Sequence, residues 1–148
     1  MELWDQACEL HKENRFDEAE AIYVQLLEQN HDNNGLMATL GSLYVQTGRI
    51  GLGIHFLEAA IKGGMKQCDV FTNLGIGYRR AGFPKKSRAM LEEAIKEEPS
   101  PETLATYSGL LIESGQDARC IDMCEKAIAG NPELATAHWN MAISLLSE

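Results

Sequence analysis

Met37-Ala38-Thr39-Leu40-Gly41-Ser42-Leu43-Tyr44 and Phe71-Thr72-Asn73-Leu74-Gly75-Ile76-Gly77-Tyr78 are two copies of one pattern. Each runs from a large apolar residue through Leu-Gly to a Tyr three residues further on. The small residue at its centre returns along the whole chain, as Ala7, Gly41, Gly75, Ser108 and Ala142, at separations of 34, 34, 33 and 34. A pattern recurring at that period marks an array of stacked supersecondary units.

The rest of each unit keeps the register. Twelve residues after the first small residue comes a second: Ala19, Gly53, Ser87 and Cys120. Seven further on lies Leu26, Ala60, Ala94 or Ala127. Gly48, Gly82 and Gly115 fall seven after the first small residue, where a turn is needed, and Pro99 and Pro132 fall 24 after it. These positions resemble the tetratricopeptide repeat (TPR), a helix–turn–helix unit. The resemblance covers almost the whole chain, although the first unit has Leu3 and Gln6 where an aromatic and Leu are usual. It implies an all-α fold, an α-α superhelix or TPR solenoid, of about four and a half repeats in one domain spanning 1–148. The units are about 1–33, 34–67, 68–100 and 101–134, with a final single helix at 135–148.

Packing physics leads to the same architecture. Matched small residues let two helices approach closely, and Leu40, Tyr44, Leu57, Phe71, Tyr78 and Leu91 fill the space beside them. One such unit cannot bury its apolar face alone, whereas stacked units share a continuous core. The pattern predicts helices at about 2–14, 16–30, 35–47, 50–62, 69–81, 84–97, 101–114, 117–129 and 134–147. Ser100-Pro101-Glu102 combines a capping hydroxyl, a first-turn proline and an acid near the positive end of the helix dipole. Pro84 opens the sixth helix, where its missing N–H is harmless. Gly63-Gly64 ends the fourth. Gly51 and Gly53 each cost that helix about 1 kcal/mol against Ala, and Gly53 is expected at a tight inter-helix contact.

The formal net charge of −9 argues against general nucleic-acid binding, which relies on Lys and Arg to neutralise phosphates. Arg79, Arg80, Lys85, Lys86 and Arg88 form one basic cluster. It reads as a solvated patch balanced by Glu92, Glu93, Glu97 and Glu98, or as a docking site for an acidic segment. No 18-residue apolar run is present, so no membrane span is expected. The N-terminus lacks a basic-then-apolar leader pattern, and a cytoplasmic location is expected.

Catalysis and metal binding find no support in the motifs. Cys8, Cys68, Cys120 and Cys124 have no disulfide-framework spacing. Cys120 and Cys124 share a helix face, but at core positions of the repeat, where buried free cysteine is common. His11, His31, His55 and His138 fall at four different repeat positions. No nucleophile elbow, zinc motif or phosphate loop stands out. The expectation is therefore a protein that is not an enzyme, with no catalytic residue, metal or cofactor.

Function then rests on surfaces. The resemblance implies that the first helix of each unit lines a concave groove that receives a partner. The groove positions are Trp4/Cys8, Ala38/Ser42, Thr72/Ile76, Ala105/Gly109 and Trp139/Ile143, and the adjoining row reads Asp5, Thr39, Asn73, Thr106 and Asn140. All five of that row are short and polar, and so could hydrogen-bond the backbone of an extended peptide. The row is similar to the asparagine ladder of TPR regions in O-linked sugar transferases. TPR domains that grip acidic chaperone tails use Lys, Asn, Asn, Lys and Arg. At those places stand Trp4, Cys8, Thr39, Asp69 and Asn73, so that mode is not expected. The expected peptide-binding set is Trp4, Asp5, Thr39, Ser42, Asn73, Ile76, Arg79, Arg80, Thr106, Trp139, Asn140 and Ile143, with Trp4, Trp139, Ile76 and Ile143 as anchors and an acidic group near Arg79 and Arg80. The partner is expected to be a protein or extended peptide.

Two rival readings stay open. One is a substrate-recognition region of a larger enzyme such as a glycosyltransferase. The other is self-association through the terminal helices, because 138–146 is apolar on more than one side, with Met141 and Leu145 expected toward the core.

Overall fold

The computed structural model describes residues 2–96 and 99–147. Among them are nine helices and no strand: α1 (Leu3–Lys12), α2 (Phe16–Gln29), α3 (Asn34–Gln46), α4 (Ile50–Lys62), α5 (Cys68–Arg80), α6 (Pro84–Ala94), α7 (Pro101–Glu113), α8 (Asp117–Gly130) and α9 (Ala135–Ser147). Most ends fall within a residue or so of the expected ones. The largest differences have local causes. α1 stops at Lys12 because Asn14 takes a left-handed backbone, φ 62°. Gly48, Gly82 and Gly115 do the same at the matching places, φ 86°, 90° and 75°. In all four turns an N–H reaches back across the left-handed residue: Arg15 to Leu10 O, Arg49 to Tyr44 O, Phe83 to Tyr78 O and Gln116 to Leu111 O, at 2.8–2.9 Å. This geometry satisfies a carbonyl that the helix end would leave open. Asn is the non-glycine residue that tolerates it best. α6 ends at Ala94 instead of 97, and the Lys96 N–H bonds to Glu93 O, a tighter i→i+3 turn. Glu97 and Glu98, expected to help balance the basic cluster, lie outside the described residues.

Starts follow the capping rules where a cap exists. The Thr103 N–H donates to Ser100 Oγ at 3.1 Å ahead of α7, and the Leu36 N–H donates to Asn33 Oδ1 at 3.1 Å ahead of α3.

The chain forms two compact units, residues 1–66 and 67–148. In the first, α1 packs on α2 and α3 on α4. Its core holds Ala7, Ala19, Tyr23, Leu36, Leu40, Leu43 and Tyr44. Gly41 and Gly53 meet backbone to backbone: a Cβ on Gly41 would lie 2.8 Å from Leu57 Cγ, and one on Gly53 would lie 2.6 Å from Val45 Cγ2. The expected tight contact is therefore present.

In the second unit, α5 pairs with α6, α7 with α8, and α9 packs on α7 and α8. Its core gathers Leu91, Leu104, Tyr107, Leu110, Leu111, Cys120, Met123 and Cys124. Ser87 replaces glycine at the second contact position, and its buried hydroxyl donates to Gly75 O at 2.7 Å. Cys120 and Cys124 are fully buried with sulfurs 3.9 Å apart. Burial pushes the Cys124 thiol up to about 11, so it stays protonated near neutral pH. On α9 the buried residues are Ala137, Asn140 and Ser144, with Met141 half-buried against the core. Leu145 is 50% exposed and not in the core as expected. No described helix covers that side of α9, and Ala142 is exposed for the same reason.

Each unit carries one carboxylate held by an arginine and a tyrosine. Glu20 accepts from Arg49 Nη1 at 3.1 Å and from the Tyr44 hydroxyl at 3.1 Å. Glu92 accepts from Arg88 Nε at 2.9 Å and from the Tyr107 hydroxyl at 3.2 Å. The arginine hydrogen bond is the main cause that holds each carboxyl below its ordinary value of 4.5, against the opposing effect of burial. The folded state thus binds these protons less readily than the unfolded state, so the stabilisation is complete above pH 4.5 and is lost as pH falls through the lowered values. Melting temperature should fall steadily on acidification below that point. A Glu20→Gln, Glu92→Gln double variant should show a shallower decline in a pH series of thermal melts, and an unchanged slope would remove these pairs from the account.

Candidate functional site

Within the second unit, α7 touches α5 on one side and α9 on the other. The three helices line a cleft of about 610 Å³. α5 contributes Ile76, Arg79 and Arg80, α7 contributes Ala105, Thr106, Gly109 and Glu113, and α9 contributes Thr136 and Asn140. Five residues expected at the site, Ile76, Arg79, Arg80, Thr106 and Asn140, are thus brought together. They come from helices about 34 residues apart, which is what the repeat period achieves.

The chemistry of the cleft differs from the expectation in two places. Arg79 does not stand as an open positive charge. Its Nε donates to Glu113 Oε1 at 3.1 Å, and its Nη2 pairs with the same carboxylate. Glu113 was not anticipated, although it lies four residues beyond Gly109 and so on the same helix face. Asn140 is only 8% exposed. Its Nδ2 donates to Ala105 O at 3.2 Å and to Ser108 Oγ at 3.0 Å, which ties α9 to α7. Both amide hydrogens are used, so its remaining capacity is the acceptor Oδ1. Thr106 is similar: its hydroxyl donates to Glu102 O at 2.9 Å and can only accept from a ligand. The cleft therefore sets arginine donors on one side against acceptors on the other.

Other members of the basic cluster are engaged nearby. Arg88 holds Glu92. Lys86 lies 5.6 Å and 5.2 Å from the centroids of the Tyr78 and Phe83 rings, within cation–π range. Glu93 pairs with Lys96. Of the cluster, Arg79 and Arg88 are thus ion-paired, while Glu93 is spent on Lys96 outside it.

Asn73 is half-buried and does not line the cleft. Thr72, read as groove-facing, is buried instead, with its hydroxyl 2.8 Å from Cys68 O and 2.9 Å from Thr103 Oγ1. Trp139 is 68% exposed and Ile143 half-buried, both outside the cleft.

The first unit has its own recess, of about 480 Å³, lined by Trp4, Cys8, His11, Tyr23, Thr39 and Gln46 with Lys12 and Asn14. The Trp4 ring lies 5.7 Å from that of Tyr23, tilted 56°. His11 Nε2–H donates to Gln46 Oε1 at 2.6 Å, and its Nδ1 is 3.2 Å from the Tyr23 hydroxyl. Burial is the main cause raising the Tyr23 hydroxyl above its ordinary value. The recess is consequently aromatic and hydrogen-bonding. Thr39, like Thr106, gives its hydroxyl hydrogen to its own helix, at Gly35 O, 2.9 Å. Trp4 also walls a second hollow of about 540 Å³ with Leu26, Gln29, Asn30, Asn33 and Leu36. Asp5 is exposed and Ser42 half-buried, and neither lines these recesses.

No protein-family model matches the chain. Solved structures do. YrrB, a TPR protein with an unusual peptide-binding site, is 21% identical over 98% of this chain and 75% of its own, with a TM-score of 0.76. TTC0263, a thermophilic TPR protein of Thermus thermophilus, is 19% identical over 97% of this chain and 80% of its own, TM-score 0.79. A chain of the APC/C hetero-tetramer Cut9–Hcn1 is 16% identical, and 98% of this chain matches 29% of it at TM-score 0.88. Likeness at these identities is a likeness of fold, and it defines the class: the chain has the TPR fold, an all-α α-α superhelix.

Proposed function

We propose that this chain is a non-catalytic scaffold that holds an extended segment of a partner protein in the cleft between α5, α7 and α9. One observation carries the reading: the Arg79 guanidinium, lying over Gly109, shares one cleft with the acceptors Thr106 and Asn140 and the small residue Ala105. A peptide backbone offers both a carbonyl and an N–H at every residue, and such a cleft can satisfy both. The peptide-binding site of YrrB, a protein of the same fold, supports the reading. With Arg79 paired to Glu113, the group bound beside it is uncharged. Trp4 and Thr39 offer a second contact in the first unit. Trp139, Ile143 and Asn73 lie where a longer partner runs on past the cleft. The free thiols suit a reducing compartment, and we assign the cytoplasm as its place of work.

The test begins with a phage-displayed library of random 12-residue peptides selected on the full chain. The strongest binder, synthesised with a fluorophore, is titrated by polarisation. Thr106→Tyr, which fills the cleft from a half-exposed position, is expected to lower its affinity at least tenfold while leaving the melting curve in place. Full affinity in that variant, or no enriched peptide at all, would overturn the reading.

A further inference from the structure

Gly109 differs from Gly41, Gly53 and Gly75, the helix glycines that packing keeps bare. Gly41, Gly53 and Gly75 are bare because a Cβ would strike a packed helix: Leu57, Val45 or Leu91 lies within 2.8 Å of where it would sit. Gly109 has no such neighbour. The atoms nearest its missing Cβ are Arg79 Nη1 at 3.1 Å, Arg79 Nη2 at 3.5 Å and Asn140 Nδ2 at 3.6 Å, all from side chains that line the cleft. A glycine within α7 costs helix stability, and here helix packing does not require it. What its bareness does is let the Arg79 guanidinium lie across the floor of the cleft, where Glu113 holds it by Nε and Nη2.

We infer that Gly109 is the specificity-determining position of the cleft, the point at which the main chain of an extended partner crosses α7. The inference rests on the groove reading above. Arg79 Nη1, turned toward Gly109, donates to a partner carbonyl. Asn140 Oδ1, left as an acceptor by its two structural hydrogen bonds, receives a partner N–H. Glu113 keeps Arg79 flat and cancels its charge, so the group bound over Gly109 is an uncharged peptide unit, not a carboxylate. Arg80, the other charged residue of the cleft, stays at the exposed rim. A Cβ at 109 would sit 3.1 Å from Arg79 Nη1, so the guanidinium must shift by a few tenths of an ångström, toward the space of the peptide unit.

The selected fluorescent peptide tests this with two variants read side by side. Gly109→Ala is expected to raise the melting temperature, since Ala favours a helix interior over Gly, and yet to weaken peptide binding at least tenfold. A purely structural glycine would move stability and affinity in the same direction. Thr106→Tyr reports on the cleft as a whole. Loss of binding in both variants, with the Gly109→Ala protein more stable, supports the inference. Loss in Thr106→Tyr with wild-type affinity in Gly109→Ala overturns it and leaves the groove reading standing. Undiminished binding in both overturns the two together.

Discussion

Tyr107→Ala should cost about 4 kcal/mol of folding free energy. Tyr107 is fully buried in the middle of α7, in a core with Leu91, Leu111 and Cys120. The variant removes a whole ring from a site walled by helices that cannot collapse onto the void, so the lost transfer energy and the cavity add. Two smaller losses accompany it. The hydroxyl no longer donates to Glu92 Oε1, and Arg119, 5.2 Å from the ring centroid, loses its aromatic partner. Tyr107→Phe separates the parts: it keeps the ring and should cost only about 1 kcal/mol. Urea titrations followed by circular dichroism measure both. A difference below about 1 kcal/mol between the two variants would mean that hydrogen bonding, not packing, holds this position.

Gly41→Val is the second large effect, at about 3 kcal/mol. The new Cβ would sit 2.8 Å from Leu57 Cγ and 3.1 Å from Gly53 O and Leu57 N. A flexible side-chain tip could swing aside, but the α4 backbone cannot, so α3 and α4 must separate and lose part of their packing. The branched methyls then worsen the crowding. Gly51→Ala is the control on the same helix pair. Nothing lies within 4 Å of its Cβ, so Ala there should be neutral or stabilising by up to about 1 kcal/mol. If both substitutions shift the urea midpoint alike, the helix contact is not what retains Gly41.

These two cases show what kind of information a repeat sequence holds. The 33–34-residue period located the helices, because small residues at matched spacing imply close helix contacts and a core shared between neighbours. It located Gly48, Gly82 and Gly115, three of the four left-handed residues between the two helices of a repeat, because glycine is the usual residue there. Asn14 escaped notice because it does the same work with a side chain. The TPR resemblance named Ile76, Ala105, Thr106, Gly109 and Asn140 of the cleft, and the charge pattern singled out Arg79 and Arg80; residues one repeat apart fall side by side on adjacent first helices.

Other features depended on which atoms meet. Arg79 reads as an open cation along the chain, but Glu113, 34 residues away, closes the pair. Asn140 reads as one rung of a polar row, yet its amide hydrogens are spent on Ala105 and Ser108. Gly109 reads as a groove position like any other, and only the neighbours of its missing Cβ distinguish it from the packing glycines. The physical reason is one of range. Periodicity reports which face of a helix is buried and where a turn must bend, both properties of a few consecutive residues. Charge pairing, the use of amide hydrogens and the space left for a ligand are settled by side chains of different helices, and only the tertiary structure brings those within bonding distance.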